Sequence, residues 1–233
     1  MRLFRKDSAR IPRAWKVFLQ VYACFALMTS FSGTFINTYL IRATGSDQNV
    51  MIFNIILAVV QPFFMLMAVY LMRLKSAIFS QRIGFVLYAA AFGLLGVMGE
   101  GAVKFILWIA AMLSAANGFF YTTYALQLLD YVDDESRDAS YGLQTALSGI
   151  IGIVLPALTG VLLAAFSDFT GYRIIFFVGL AVSVSAVLLS GRLRPLTNVS
   201  PKVHILRALK VLLTERPARA AMMASMAARS TDT

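Results

Sequence analysis

Long apolar runs dominate this sequence and leave few architectures open to it. A helix that crosses roughly 30 Å of hydrocarbon needs about 20 mostly apolar residues. Six stretches meet or approach that need, at 17–40, 50–72, 83–98, 103–128, 141–166 and 174–191. The third is the shortest and is expected to begin a turn earlier, at Ser80. Short polar links separate them, at 42–49, 73–82, 99–102, 129–140 and 167–173. In lipid the backbone must satisfy its own hydrogen bonds, which leaves helices or closed barrels. The alternating ten-residue segments of a barrel are not seen, so the sequence predicts an all-α membrane protein of six transmembrane helices. The first run is also longer than the 7–15-residue core of a signal peptide, so it is expected to stay as a helix.

The charges set the direction. Only 14% of the residues are charged and 59% are hydrophobic, whereas a soluble domain carries about a quarter charged residues. The excess of 21 Lys and Arg over 11 Asp and Glu does not form the polar face that nucleic acid would need; it collects at the ends of runs. With the N-terminus in the cytoplasm, the inner segments hold 17 Lys and Arg and the outer links three, Arg42, Lys104 and Arg173. That asymmetry is the positive-inside signal. It predicts a multi-pass protein of the cell (inner or plasma) membrane whose first partner is the lipid bilayer. Cys24 is the single cysteine and His204 the single histidine, so no disulfide framework, metal site or cofactor is expected. There is no Ser/His pair within the runs and no Asp-rich motif, and the reading is non-enzymatic.

The first and fourth runs share a pattern. Gly33, Phe35, Thr38 and Tyr39 match Gly118, Phe120, Thr123 and Tyr124 at a constant offset of 85. Arg82-Ile83-x-Phe85 and Arg173-Ile174-x-Phe176 open the third and sixth runs alike. Two matches in the same order suggest a 3+3 duplication. Because successive helices alternate in direction, the two triplets have inverted topology, a hallmark of secondary transporters. The polar residues Asn37, Thr38, Tyr39, Asn117, Tyr121, Thr122 and Tyr124 are then candidates for a substrate path. Packing between helices is the competing use of such residues. No Asp or Glu falls in the middle of a run, which leaves the amides Gln20, Asn54, Gln61, Asn117, Gln127 and Gln144 as the mid-membrane polar groups.

The six runs, the fourth-run Ala115-Ala116-Asn117-Gly118-Phe119-Phe120 and the segment from Phe169 to Phe176 resemble the N-terminal half of a major facilitator superfamily transporter of bacterial type. The resemblance covers about residues 15 to 195. It implies two six-helix halves, each an inverted 3+3 repeat, with the first and fourth helices lining the path. The basic link keeps Arg73, Lys75, Arg82 and Gly84 but lacks the family's acid; Ser114 stands where drug antiporters carry an arginine. The resemblance also makes the basic link a neighbour of the acidic one. Arg73, Lys75, Arg82, Asp130, Asp133 and Arg137 are therefore candidates for a cytoplasmic gate. Pro156 removes a backbone donor and, between Gly152 and Gly160, reads as a bend with close packing.

The expected divisions are a basic N-terminus at 1–16, a transmembrane domain at 17–191, a cytoplasmic linker at 192–217, and the start of a seventh helix or a tail at 218–233. Within the linker, apolar residues at 203, 206, 209 and 213 alternate with Lys and Arg, the pattern of a helix lying on an anionic leaflet. The expected activity is transport of a small solute by alternating access, with a second six-helix half or a second copy as partner. The alternative is a non-transporting remnant or a membrane interaction subunit.

Overall fold

The computed structural model describes residues 13–132, 137–166 and 168–196. Asp133, His204, the expected linker helix and the residues from 218 onward lie outside these ranges. All regular structure among the described residues is helical. In chain order the elements are α1 (Arg13–Ser30), a π-helical turn (Phe31–Phe35), α2 (Ile36–Thr44), α3 (Asp47–Leu74) and α4 (Ala77–Met98). A 3-10 segment (Gly99–Phe105), α5 (Ile106–Tyr131), α6 (Arg137–Ala165) and α7 (Thr170–Ser190) complete them.

Five helical runs among the described residues are long and apolar enough to cross a membrane: Ala14–Thr44, Asp47–Leu74, Ala77–Tyr131, Arg137–Ala165 and Thr170–Ser190. The third of these contains both α4 and α5, because the segment between them stays helical. It folds back on itself nonetheless. The Gln127 amide donates to Gln81 Oε1 at 2.9 Å, and the Tyr88 hydroxyl donates to Asn117 Oδ1 at 2.6 Å. Rising numbers on α4 meet falling numbers on α5, so the two legs are antiparallel neighbours.

The helices extend beyond the apolar runs where polar residues find partners. α4 starts at Ala77 because the Ser76 hydroxyl accepts from the Phe79 amide at 3.1 Å, satisfying an orphan donor of the first turn. It can carry the polar Gln81 because Gln127 meets it. α2 stops at Gly45, whose φ of +62° suits a residue without a Cβ and whose amide bonds the Ile41 carbonyl.

The core lies among α1, α4, α5 and α7 and is aromatic. Phe25 stacks on Phe120 with ring centroids 3.5 Å apart, while Phe31, Phe85, Tyr88, Phe92 and Phe176 are buried around them. α1 runs antiparallel to α7, as Ser183 meets Met28 and Tyr172 meets Tyr39. α3 and α6 are peripheral: 11% and 6% of their most apolar stretches are buried, against a third or more in the other three runs. Their outer faces are apolar, with Ile55, Val59, Phe63 and Leu66 exposed on α3 and Ile150, Ile153, Leu158 and Val161 on α6.

The two peripheral helices resemble each other in placement. α3 lies along α5 in the same direction: the Ser114 hydroxyl donates to the Leu57 carbonyl at 2.8 Å and the Thr122 hydroxyl to that of Met65 at 3.4 Å. α6 likewise runs beside α1, joined by a 2.6 Å hydrogen bond between Tyr22 and Ser148. Each carries one internal proline, Pro62 in α3 and Pro156 in α6. The two seams differ in closeness. A Cβ on Gly118 would stand 2.9 Å from the Gln61 carbonyl oxygen and 2.9 Å from Phe64 Cβ, whereas one on Gly149 or Gly152 of α6 would meet nothing within 4 Å.

Candidate functional site

The looser seam opens into a cavity of about 410 Å³ between α1, α5 and α6. Tyr22, Ala26 and Thr29 recur every three or four residues and so share one face of α1, joined by Phe25 and Ser30. α5 contributes Tyr121 and Tyr124, and α6 contributes Gln144, Ser148, Ile151 and Gly152 at the same helical spacing. Among the described residues its lining holds no Asp, Glu, Lys, Arg, His or Cys. The volume lies in the lower part of the range usual for small-molecule sites.

Aromatic packing fixes the walls. Phe25 stacks on Phe120 and meets Tyr121 edge-on at 5.2 Å, and Tyr124 lies 5.7 Å from Tyr22 and 5.8 Å from Phe120. Hydrogen bonds tie the polar tips. Gln144 Nε2 donates to the Tyr124 hydroxyl, and Tyr22 and Ser148 share one bond. Gln144 is only 6% exposed, and its Oε1 has no hydrogen-bond partner. The lining brings together, among the described residues, hydroxyls, one amide and aromatic faces. Among the described residues no cluster of His, Cys, Asp and Glu could hold a metal ion.

Of the expected path residues, Tyr121 and Tyr124 line this cavity, and so does Gly152. The others point elsewhere. Tyr39 is fully buried on the opposite side and donates to the Gly99 carbonyl at 2.6 Å. Asn37 accepts from Asn54 at 3.2 Å, and Asn117 accepts from Tyr88. Thr38 and Thr122 turn their hydroxyls onto carbonyls one helical turn back, at 3.2 and 2.8 Å. The repeat matched these positions by sequence, but the π turn changes the phase of α2 relative to α1.

The close packing expected around Pro156 is not made within this chain. A Cβ on Gly149, Gly152 or Gly160 would meet nothing within 4 Å, because α6 stands away from its neighbours. Cavity residues that sequence reasoning did not single out are Tyr22, Thr29 and Ser148. Their signal was the shared helical face, which a search for motifs passes over.

At the end of the bundle where α3 gives way to α4, Arg82 Nε donates to Ser190 Oγ at 3.0 Å. Lys75 and Arg82 border a second hollow with Phe79, Gly191 and Pro195. Asp130, at the close of α5, is buried and pairs with Arg194 at 3.2 Å; Arg194 is 49% exposed there and lies over the Tyr131 ring. The Tyr131 hydroxyl also donates to the Arg194 carbonyl. Arg73 lies in the last turn of α3 and Arg137 opens α6. At the opposite end, Arg42 lies over Phe169 and Tyr172. Asp168 accepts from the Thr170 hydroxyl at 2.7 Å and amide at 3.2 Å. These bonds, with Arg42 nearby, hold its carboxyl below the usual carboxylate range.

The class defined so far is coarse: an all-helical protein with five runs long and apolar enough to cross a membrane. No family model matches the chain, and no solved structure matches it. It is similar to the uncharacterized protein YqgE of Bacillus subtilis (strain 168), 26% identical over 172 residues, which make up 74% of this chain and 40% of that protein. It is also similar to the uncharacterized protein in the sodM 3'region of Geobacillus stearothermophilus, 25% identical over 178 residues, 76% of this chain and 83% of that protein. The chain thus spans about two fifths of the length of the Bacillus relative it matches.

Proposed function

We propose that this chain forms the N-terminal six-helix half of a secondary transporter of the major facilitator type, with the α1–α5–α6 cavity as part of its solute path. The observation that carries the reading is the exchange of neighbours between two triplets. Taking α1 with α2 as equivalent to α5, α3 to α6 and α4 to α7, each parallel seam has a counterpart, α3 on α5 and α6 on α1. The helices α4 and α7 pack on each other and exchange places. That is the arrangement of an inverted 3+3 repeat, and α3 and α6 each carry one internal proline, Pro62 and Pro156. The apolar outer faces of α3 and α6 suit lipid, since soluble monomers rarely expose contiguous apolar patches above a few hundred Å². With the hairpin α4–α5 counted as two crossings, the bundle crosses six times and the basic ends lie in the cytoplasm.

One of the two equivalent seams is tightly packed and the other opens into the cavity, which supports reading that cavity as part of the path. The test is labelling of single cysteines in cells, on a Cys24→Ser background. Lys75→Cys should react only with a reagent admitted to the cytoplasm and Glu100→Cys only from outside. Thr29→Cys should change its reactivity in opposite senses from the two sides when solute is added. Labelling of Lys75→Cys and Glu100→Cys from one side, or an unchanging Thr29→Cys, overturns the proposal. The Geobacillus relative, of which the chain covers 83%, favours a second reading, a six-helix unit that acts as an interaction subunit without transport.

A further inference from the structure

We infer that the cavity between α1, α5 and α6 takes an uncharged, hydroxyl-rich solute, held between aromatic faces by paired donor–acceptor contacts. The inference rests on the cavity being a solute site, as proposed above.

Three observations lead to it. First, among the described residues no carboxylate, amine, guanidinium, imidazole or thiol lines the cavity; its polar groups are hydroxyls and one amide. An ionised solute there would lose its hydration with no counter-charge in reach, and a charge without a partner at membrane depth is costly. Second, Gln144 is 6% exposed, lines the cavity, and has an Oε1 with no partner. An unmet buried acceptor of this kind is satisfied by a donor from a ligand. Third, the polar tips come in couples. Gln144 gives one amide hydrogen to the Tyr124 oxygen, which leaves the Tyr124 proton to donate beside the Gln144 oxygen that accepts. Turning the amide over exchanges the roles and still leaves one donor beside one acceptor. The Tyr22–Ser148 couple has the same property, since either hydroxyl can be the donor and the other keeps its proton.

A hydroxyl is the small neutral group that both donates and accepts, so two adjacent couples suit two hydroxyls of one molecule. Phe25 and Tyr121 meet at 85° at the edge of these couples and supply flat apolar faces against which the C–H side of such a molecule can rest. A purely apolar solute would leave Gln144 unmet, and a site built to hydrogen-bond rejects the analogue that lacks the group by large factors.

The experiment uses the purified full chain in detergent and follows its melting temperature and tryptophan fluorescence against four probes. D-glucose and myo-inositol are neutral; D-gluconate and D-glucosamine carry a charge of either sign on a similar frame. Saturable stabilisation by a neutral probe, with at least tenfold weaker response to both charged ones, is the expected result. Gln144→Leu should weaken the neutral probe about tenfold, the worth of one lost buried hydrogen-bond partner. Ser148→Ala, a milder change, should weaken it several-fold while lowering the melting temperature in the absence of probe only slightly. Gln144→Glu should shift the preference toward glucosamine. Equal or stronger response to a charged probe, no saturable response to either neutral one, or a preference unmoved by Gln144→Glu overturns the inference. Flux of labelled probe into proteoliposomes separates the two claims. Binding of a neutral probe without flux in the full-length protein defeats the transport reading and leaves the chemistry standing, whereas flux of a charged probe alone does the reverse.

Discussion

Replacing Gly118 by alanine adds one methyl group at the tightest crossing of the bundle. The new Cβ would lie 2.9 Å from the Gln61 carbonyl oxygen, 2.9 Å from Phe64 Cβ and 3.0 Å from the Met65 nitrogen, all of them backbone or first side-chain atoms that cannot swing aside. Restoring ordinary contact distances moves α3 outward by roughly 0.5–1 Å, which forfeits a quarter to a half of the dispersion energy along the seam. The same shift stretches the Ser114–Leu57 bond of 2.8 Å and breaks the Thr122–Met65 bond, already 3.4 Å. Overpacking of this kind costs about 1–3 kcal/mol, and an interhelical hydrogen bond in a membrane protein is worth about 0.6 kcal/mol. Alanine recovers up to about 1 kcal/mol through its higher helix propensity. The net expectation is a loss of about 1–3 kcal/mol. Gly33→Ala, at the matching place of the repeated pattern, has nothing within 4 Å of its Cβ and should leave stability unchanged or raise it by up to about 1 kcal/mol. Reversible unfolding in mixed detergent–SDS micelles, followed by circular dichroism, measures both. Equal effects of the two substitutions, or a Gly118→Ala protein as stable as the parent, would refute the account of the seams.

Arg194→Ala should destabilise by about 1–3 kcal/mol by the same assay, since Asp130 is buried while its partner is half exposed and screened. Adding Asp130→Asn should return part of that loss, because the carboxylate that needs a partner is then gone. Asp168 sets a pH dependence. Its carboxyl is held below the ordinary range chiefly by the Thr170 hydroxyl and amide, so its contribution is present above the unfolded value of about 4 and disappears as the pH falls through the lower folded value. The difference in melting temperature between the parent and Asp168→Asn should be constant from about pH 8 to 5 and shrink toward zero in strong acid. A difference that grows on acidification contradicts the assigned bonds.

Helix positions were legible because apolar length is a local property. The run expected at 50–72 is α3 at Asp47–Leu74, and that at 174–191 is α7 at Thr170–Ser190. Boundaries slipped where polar residues are satisfied inside the bundle. The third run is expected to begin at Ser80, a turn before Ile83, and α4 begins earlier still, at Ala77, where Gln81 meets Gln127 from the far side of a hairpin, a pairing 46 residues apart. The site was half legible. Tyr121 and Tyr124 are among the path residues the repeat suggests, but Tyr39, the counterpart of Tyr124 by spacing, is a core residue bonded to Gly99. Ser148 and Tyr22 became visible only once α6 and α1 were placed side by side, since 126 residues separate them.

The π turn at Phe31–Phe35 has a consequence for length variation. It accommodates one residue more than an α-helix would use over the same rise. Deleting a single residue there lets the helix run on as a regular α-helix, and everything beyond keeps its facing, because the wide turn is what absorbed the extra residue. Tyr39 would keep the Gly99 carbonyl and Asn37 would keep Asn54. A one-residue deletion in this turn is therefore absorbed, whereas the same deletion in the regular turns of α1 rotates everything beyond it by about 100°, the step of one residue around an α-helix.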